Sequence, residues 1–156
     1  MIQRIQSIYL LIVAALMSLL MAVPYAEIDL GNNEVIRFYA FALQKLVDGD
    51  QAEKVSTTAP LAILVLIAAT VSFLNIFLFR RRVLQMRICL LTSVVMIIQL
   101  GLIYLYFQGA KGDFGTSMPS FNLPAVFPLI STILLIMAYR AILHDESLVK
   151  SYDRIR

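Results

Sequence analysis

Residues 60–82, PLAILVLIAATVSFLNIFLFRRR, run for twenty residues without an Asp, Glu, Lys or Arg and then end in three arginines. As a helix rising 1.5 Å per residue, twenty residues span about 30 Å, the thickness of a bilayer's hydrocarbon core. Three further charge-free runs lie outward from it: Ile8 to Val23, Ile88 to Phe107 and Pro124 to Tyr139. Hydrophobic residues make up 60% of the 156-residue chain, and its mean hydropathy is +0.83. A soluble domain of this length cannot hide so much apolar surface. A transmembrane barrel would show short alternating strands instead of continuous runs. The sequence therefore predicts an all-α membrane protein: a single domain, 1–156, with four transmembrane helices at about 5–23, 60–79, 87–107 and 124–142. Up-down-up-down threading follows, capped by a small β-hairpin at the outer end.

The charges orient it. Arg4, Arg80, Arg81, Arg82, Arg87, Arg140, Lys150, Arg154 and Arg156 fall on one side of the spans, and Arg37, Lys45, Lys54 and Lys111 on the other. Acids divide the opposite way, with only Asp145, Glu146 and Asp153 on the arginine-rich side. Basic loops stay in the cytoplasm, which predicts a multi-pass plasma-membrane protein with both termini cytoplasmic and the two longer loops facing out. The same partition accounts for the net charge of +3 without nucleic acid. Arg4 before an apolar run has the outline of a signal peptide, but Pro24 and Tyr25 spoil the small-residue cleavage pattern. The run reads as a retained span. A quinone-linked thiol oxidase needs a reactive cysteine pair; Cys89 stands alone and reads as a small buried hydrophobe.

The loop 24–59 is too long for a bare connector. Ile28 to Leu30 and Val35 to Tyr39 flank Gly31-Asn32-Asn33, the pattern of a β-hairpin. A lone hairpin is marginal in water, so the second outer loop, 108–123, is the expected support. Phe41 to Val47 is predicted as a short surface helix. Asp48-Gly49-Asp50 is an acidic turn that does not complete a calcium-binding loop and reads as solvated. Thr58 and Asn122, just before Pro60 and Pro124, are predicted side-chain caps of spans two and four. The similar helix openings fit either a two-fold repeat or shared anchoring chemistry. Pro128 should bend span four slightly. Residues 143–156 form an amphipathic cytoplasmic tail, placed to lie on the inner leaflet or on a partner.

Catalysis within a membrane needs ionisable groups at depth. The spans offer only Asn75, Gln99, Tyr104 and scattered hydroxyls, and His144, the one histidine, lies beyond Arg140. Serine–histidine or paired-aspartate hydrolysis, a histidine metal centre and carboxylate-coupled transport are all unsupported. No catalytic residue, metal or cofactor is expected. Asn75, Gln99 and Tyr104 are candidate intramembrane polar contacts, lining a cavity or bonding between helices. Ala14, Ser18 and Ala22 recur every four residues and form a candidate helix-packing face. Arg80, Arg81, Arg82, Arg87, Lys150, Arg154 and Arg156 are candidate contacts to anionic lipid headgroups or to a partner.

Met1 to Gln6, the inner loop Arg80 to Arg87 and the end Asp145 to Arg156 together resemble one domain-of-unknown-function family. It comprises small four-helix inner-membrane proteins from Bacteroidota. The resemblance covers nearly the whole chain and implies an inner-membrane location with the hairpin in the periplasm. It carries over no catalytic residue. The expectation is a non-catalytic accessory or scaffold subunit that binds another membrane or envelope protein, or a second copy. The alternative is a small transporter, channel or lipid-binding protein.

Overall fold

In the computed structural model, residues 3–31, 34–47, 51–114 and 120–153 are described. Four helices carry the chain: α1 (Gln3–Ala22), α2 (Ala59–Phe77), α3 (Arg82–Phe114) and α4 (Phe127–Asp153). Each helix packs on the one before and the one after it, and α4 returns to α1, so the bundle is a closed ring of four. Leu10, Val13, Met17, Leu20, Val65, Met96, Leu135 and Ile142 fill its axis. All four helices are long and apolar enough to cross a membrane, and only 33% of each apolar window is buried. The remaining apolar side chains point outward, Leu74, Leu91, Ile97, Leu105 and Ile133 among them. Water would not tolerate that much contiguous apolar surface, whereas lipid tails would cover it.

Between α1 and α2 run four strands: β1 (Ala26–Gly31), β2 (Glu34–Phe38), β3 (Ala42–Val47) and β4 (Gln51–Thr57). A two-residue strand, β5 (Ser120–Phe121), comes from the α3–α4 connection. The sheet is antiparallel throughout, in the order β4-β3-β2-β1-β5. Because β1 pairs with β5, both of these connections lie at one end of the bundle. The α2–α3 turn, the start of α1 and the end of α4 lie at the other. Up-down-up-down threading follows from connectivity alone.

The expected hairpin is present, with Ile28 opposite Ile36 and Asp29 opposite Val35. It is the middle of a larger sheet, and the second loop does contribute its supporting strand. The segment 41–47 is corrected from a surface helix to strand β3, held on both sides by β2 and β4. Along β2, buried Ile36 and Phe38 alternate with half-exposed Val35 and Arg37, which fits a sheet with one covered face. Asn32 and Asn33 of the predicted turn, and Asp48-Gly49-Asp50, lie outside the described residues.

Two boundaries also differ from expectation. α3 has 33 residues, so it is about 50 Å long and overruns the predicted span at both ends. α4 continues without a break through the predicted tail as far as Asp153. As far as Asp153 the tail is therefore a continuation of α4, not a separate helix turned along the surface. Neither predicted cap forms a side-chain cap bond. The buried Thr58 hydroxyl instead donates to the Tyr39 and Ala40 carbonyls, 3.1 and 2.9 Å away, and ties α2 to the sheet. Phe38, Phe107 and Phe121 stack in sequence at centroid spacings of 5.1 and 4.6 Å, which seats the sheet on α3.

Candidate functional site: the arginine turn and the polar contacts beneath it

α2 passes into a tight 3-10 turn, Leu78–Arg80, and Arg81 leads directly into α3. The turn is tied at every step. Leu78 N–H donates to the Asn75 carbonyl, Arg81 N–H to the Leu78 carbonyl at 2.8 Å, and Gln85 N–H to the Arg81 carbonyl at 3.0 Å. Arg80, Arg81, Arg82 and Arg87 thus stand around one short turn and line a cleft of about 530 Å³. Val83 and Leu84 line this open cleft as well, and Glu146 joins its lining from α4. Of the remaining predicted cations, Lys150 belongs to α4, and Arg154 and Arg156 lie outside the described residues.

One helical turn deeper, α2 and α3 exchange hydrogen bonds. Asn75 Nδ2 donates to the Gln85 carbonyl at 3.4 Å and to Cys89 Sγ at 3.2 Å. Gln85 Nε2 donates back to the Asn75 carbonyl at 3.2 Å. All three side chains are buried. Asn75 is therefore an interhelical contact, and Cys89 is the small buried residue that accepts from it.

The other sequence-selected residues do not join this cluster. Gln99 is wholly buried, and neither its amide nitrogen nor its oxygen has a protein partner; the Ser72 and Ser131 hydroxyls are likewise unpartnered. Tyr104 is 62% exposed and accepts from Gln108 Nε2 at 2.7 Å, so it faces outward and lines no interior cavity with Asn75 and Gln99. The small-residue stripe divides: Ala14 is buried, while Ser18 and Ala22 face out, and the Ser18 hydroxyl bonds back to the Ala14 carbonyl at 2.8 Å.

One contact gives no sequence signal. Gln6 Nε2 in the first turns of α1 donates to Asp145 Oδ2 in α4 at 2.6 Å, across 139 residues, with both side chains buried. Nothing in the composition or spacing of either segment distinguishes these two from their exposed polar neighbours. At the sheet end, Arg37 pairs with Glu27 at 3.0 Å and Lys45 with Glu34 at 2.8 Å, so two of the cap's acids are occupied by cross-strand cations. The Tyr25 hydroxyl donates to the Tyr39 carbonyl at 2.9 Å, and burial, helped by nearby Tyr106, pushes its ionisation well above the ordinary tyrosine range. Among the described residues no cluster of His, Cys, Asp and Glu could hold a metal ion.

These features define a class: a four-helix protein of membrane-spanning length, with a sheet at one end and a cationic turn at the other. The chain belongs to the family described as Domain of unknown function (DUF4293), which matches residues 2–155. No curated protein matches the chain.

Proposed function

We propose that this protein is a non-catalytic accessory or scaffold subunit of a bacterial inner membrane that binds another membrane or envelope protein through its sheet. In this reading the arginine turn and both termini are cytoplasmic, in keeping with the excess of basic residues at that end, and the sheet is periplasmic. The observation that carries the partner role is the free edge of the sheet. Strand β4 is seven residues long, pairs only with β3, and has no described strand on its other side. An edge of that length offers a row of backbone donors and acceptors to an added strand.

The test is purification of the tagged protein from its native membranes in mild detergent, with mass spectrometry of proteins and lipids. Val55 has no partner in the β3–β4 register, so Val55→Pro places a residue that cannot donate where the ladder to β3 is already interrupted, with circular dichroism checking that the fold is kept. A stoichiometric protein retained by the wild type and lost from Val55→Pro supports the reading. A partner kept by both removes the edge from the argument, and a catalytically active purified protein overturns the reading altogether. The unpartnered Gln99 amide favours a second reading, a small carrier, since a buried amide prefers a polar guest to none. A lone protein carrying one enriched small molecule would select it.

A further inference from the structure

We infer that the arginine turn is a defined binding site for the phosphate of an anionic phospholipid headgroup, beyond its role in setting orientation. Three observations converge on it. The four guanidinium groups line one cleft with a single acid, Glu146, so its lining carries a net charge of +3. At about 530 Å³ the cleft falls in the size range of small-molecule sites. Its walls are mixed: Val83 and Leu84 are substantially exposed beside the arginines, as is neighbouring Phe79. A headgroup phosphate lodged among the arginines would leave its acyl chains lying along these apolar residues and the outward face of α3, where the charge-free run begins at Ile88.

The turn is also held in place. A loop that served only to carry charge would need no fixed shape, yet this one is bonded at Asn75, Leu78 and Arg81 along its backbone. Beneath it, the reciprocal Asn75–Gln85 contact locks α2 to α3. A fixed backbone lets guanidinium groups present paired N–H donors to one phosphate, a geometry an ammonium group cannot reproduce. The first-turn N–H groups of α3, which helix geometry leaves without intrahelical partners, add to the same field. Asn75 and Gln85 are positioning residues here; the arginines make the contact.

The inference rests on the membrane reading proposed above, and its test separates the two. Membranes are first washed with alkaline carbonate: release of the protein would sink the membrane reading whatever the lipid result. Full-length protein in mild detergent is then equilibrated with vesicles of phosphatidylcholine alone, or of phosphatidylcholine with phosphatidylglycerol, and bound lipid is counted by native mass spectrometry. Wild type should retain phosphatidylglycerol over phosphatidylcholine by roughly tenfold, equivalent to about 1.4 kcal/mol. The charge-preserving variant R80K/R81K/R82K/R87K should lose most of that preference. Arg81→Lys alone, outside both helices, serves if the fourfold variant does not fold and should lose part of it. Asn75→Leu should lower retention with every arginine intact. Equal retention by the lysine variants would reduce the site to a general cationic patch and overturn the inference. Displacement of the lipid by inorganic phosphate at equal concentration would overturn the lipid assignment in favour of free phosphate.

Discussion

Replacing Asp145 with Leu takes away the oxygen that Gln6 Nε2 reaches at 2.6 Å. The two side chains are 8% and 6% exposed, so solvent has little access to replace the missing partner. A buried donor stripped of its acceptor costs about 1–3 kcal/mol. Leu returns part of this by adding apolar surface to the α1–α4 seam, which gives a net loss of about 1.5 kcal/mol. Gln6→Leu leaves a carboxylate oxygen unpaired instead, the costlier loss, at about 2 kcal/mol. The double variant leaves neither group behind, and an apolar pair of similar shape can be close to neutral, so its expected cost is about 1 kcal/mol or less. The coupling is then about 2.5 kcal/mol, within the range seen for residues in direct contact. The assay is reversible unfolding of the purified protein in mixed micelles of rising sodium dodecyl sulfate fraction, followed by helix circular dichroism. Single losses that add in the double variant to within about 0.5 kcal/mol would refute the reasoning, because independent sites behave that way.

Three other outcomes are expected. Thr58→Val removes two bonds to the Tyr39 and Ala40 carbonyls with little change in shape, so it should cost about 1–2 kcal/mol and speed amide exchange around Tyr39 and Ala42; unchanged exchange there would argue against the tie. The raised ionisation of Tyr25 contributes stability that is complete below its ordinary value of 10.0 and is lost as pH climbs beyond it. Wild type should therefore weaken in alkali more than Tyr25→Phe does, and matched alkaline curves would place the effect elsewhere. For orientation, a membrane-impermeant maleimide should modify Asp29→Cys in whole cells and Ser147→Cys only after permeabilisation, while buried Cys89 stays unmodified in both; the reverse pattern would invert the threading.

The four apolar runs were legible because a bilayer demands long, charge-free, self-bonded segments, and nothing else in a short chain produces them. The hairpin was legible for a local reason too, a turn signal between two short β-rich stretches. Strand β3 was not. Phe41, Leu43, Leu46 and Val47 fit a helical face about as well as a pleated one, and the choice was made by β2 and β4 pairing on either side. The same non-local logic hid the Gln6–Asp145 bond. It also redirected the Thr58 hydroxyl from the predicted cap to the sheet. In the arginine turn the charge was plain from the sequence, but the cleft was not, because Glu146 arrives from a helix that begins 45 residues after Arg82. Which way Tyr104 faces was not legible either, because an amphipathic aromatic reads the same on an outer surface as on a cavity wall.

The two-residue strand β5 imposes an order on assembly. The first half of the chain carries four of the five strands, and β1 is the member whose open flank is covered only by Ser120 and Phe121. During synthesis, α1, α2 and the four-stranded sheet exist before that cover does. Until α3 has crossed the membrane and the α3–α4 connection has reached it, β1 presents an unguarded edge to any neighbouring chain. Two residues of the α3–α4 connection therefore act as a guard for a sheet they barely belong to.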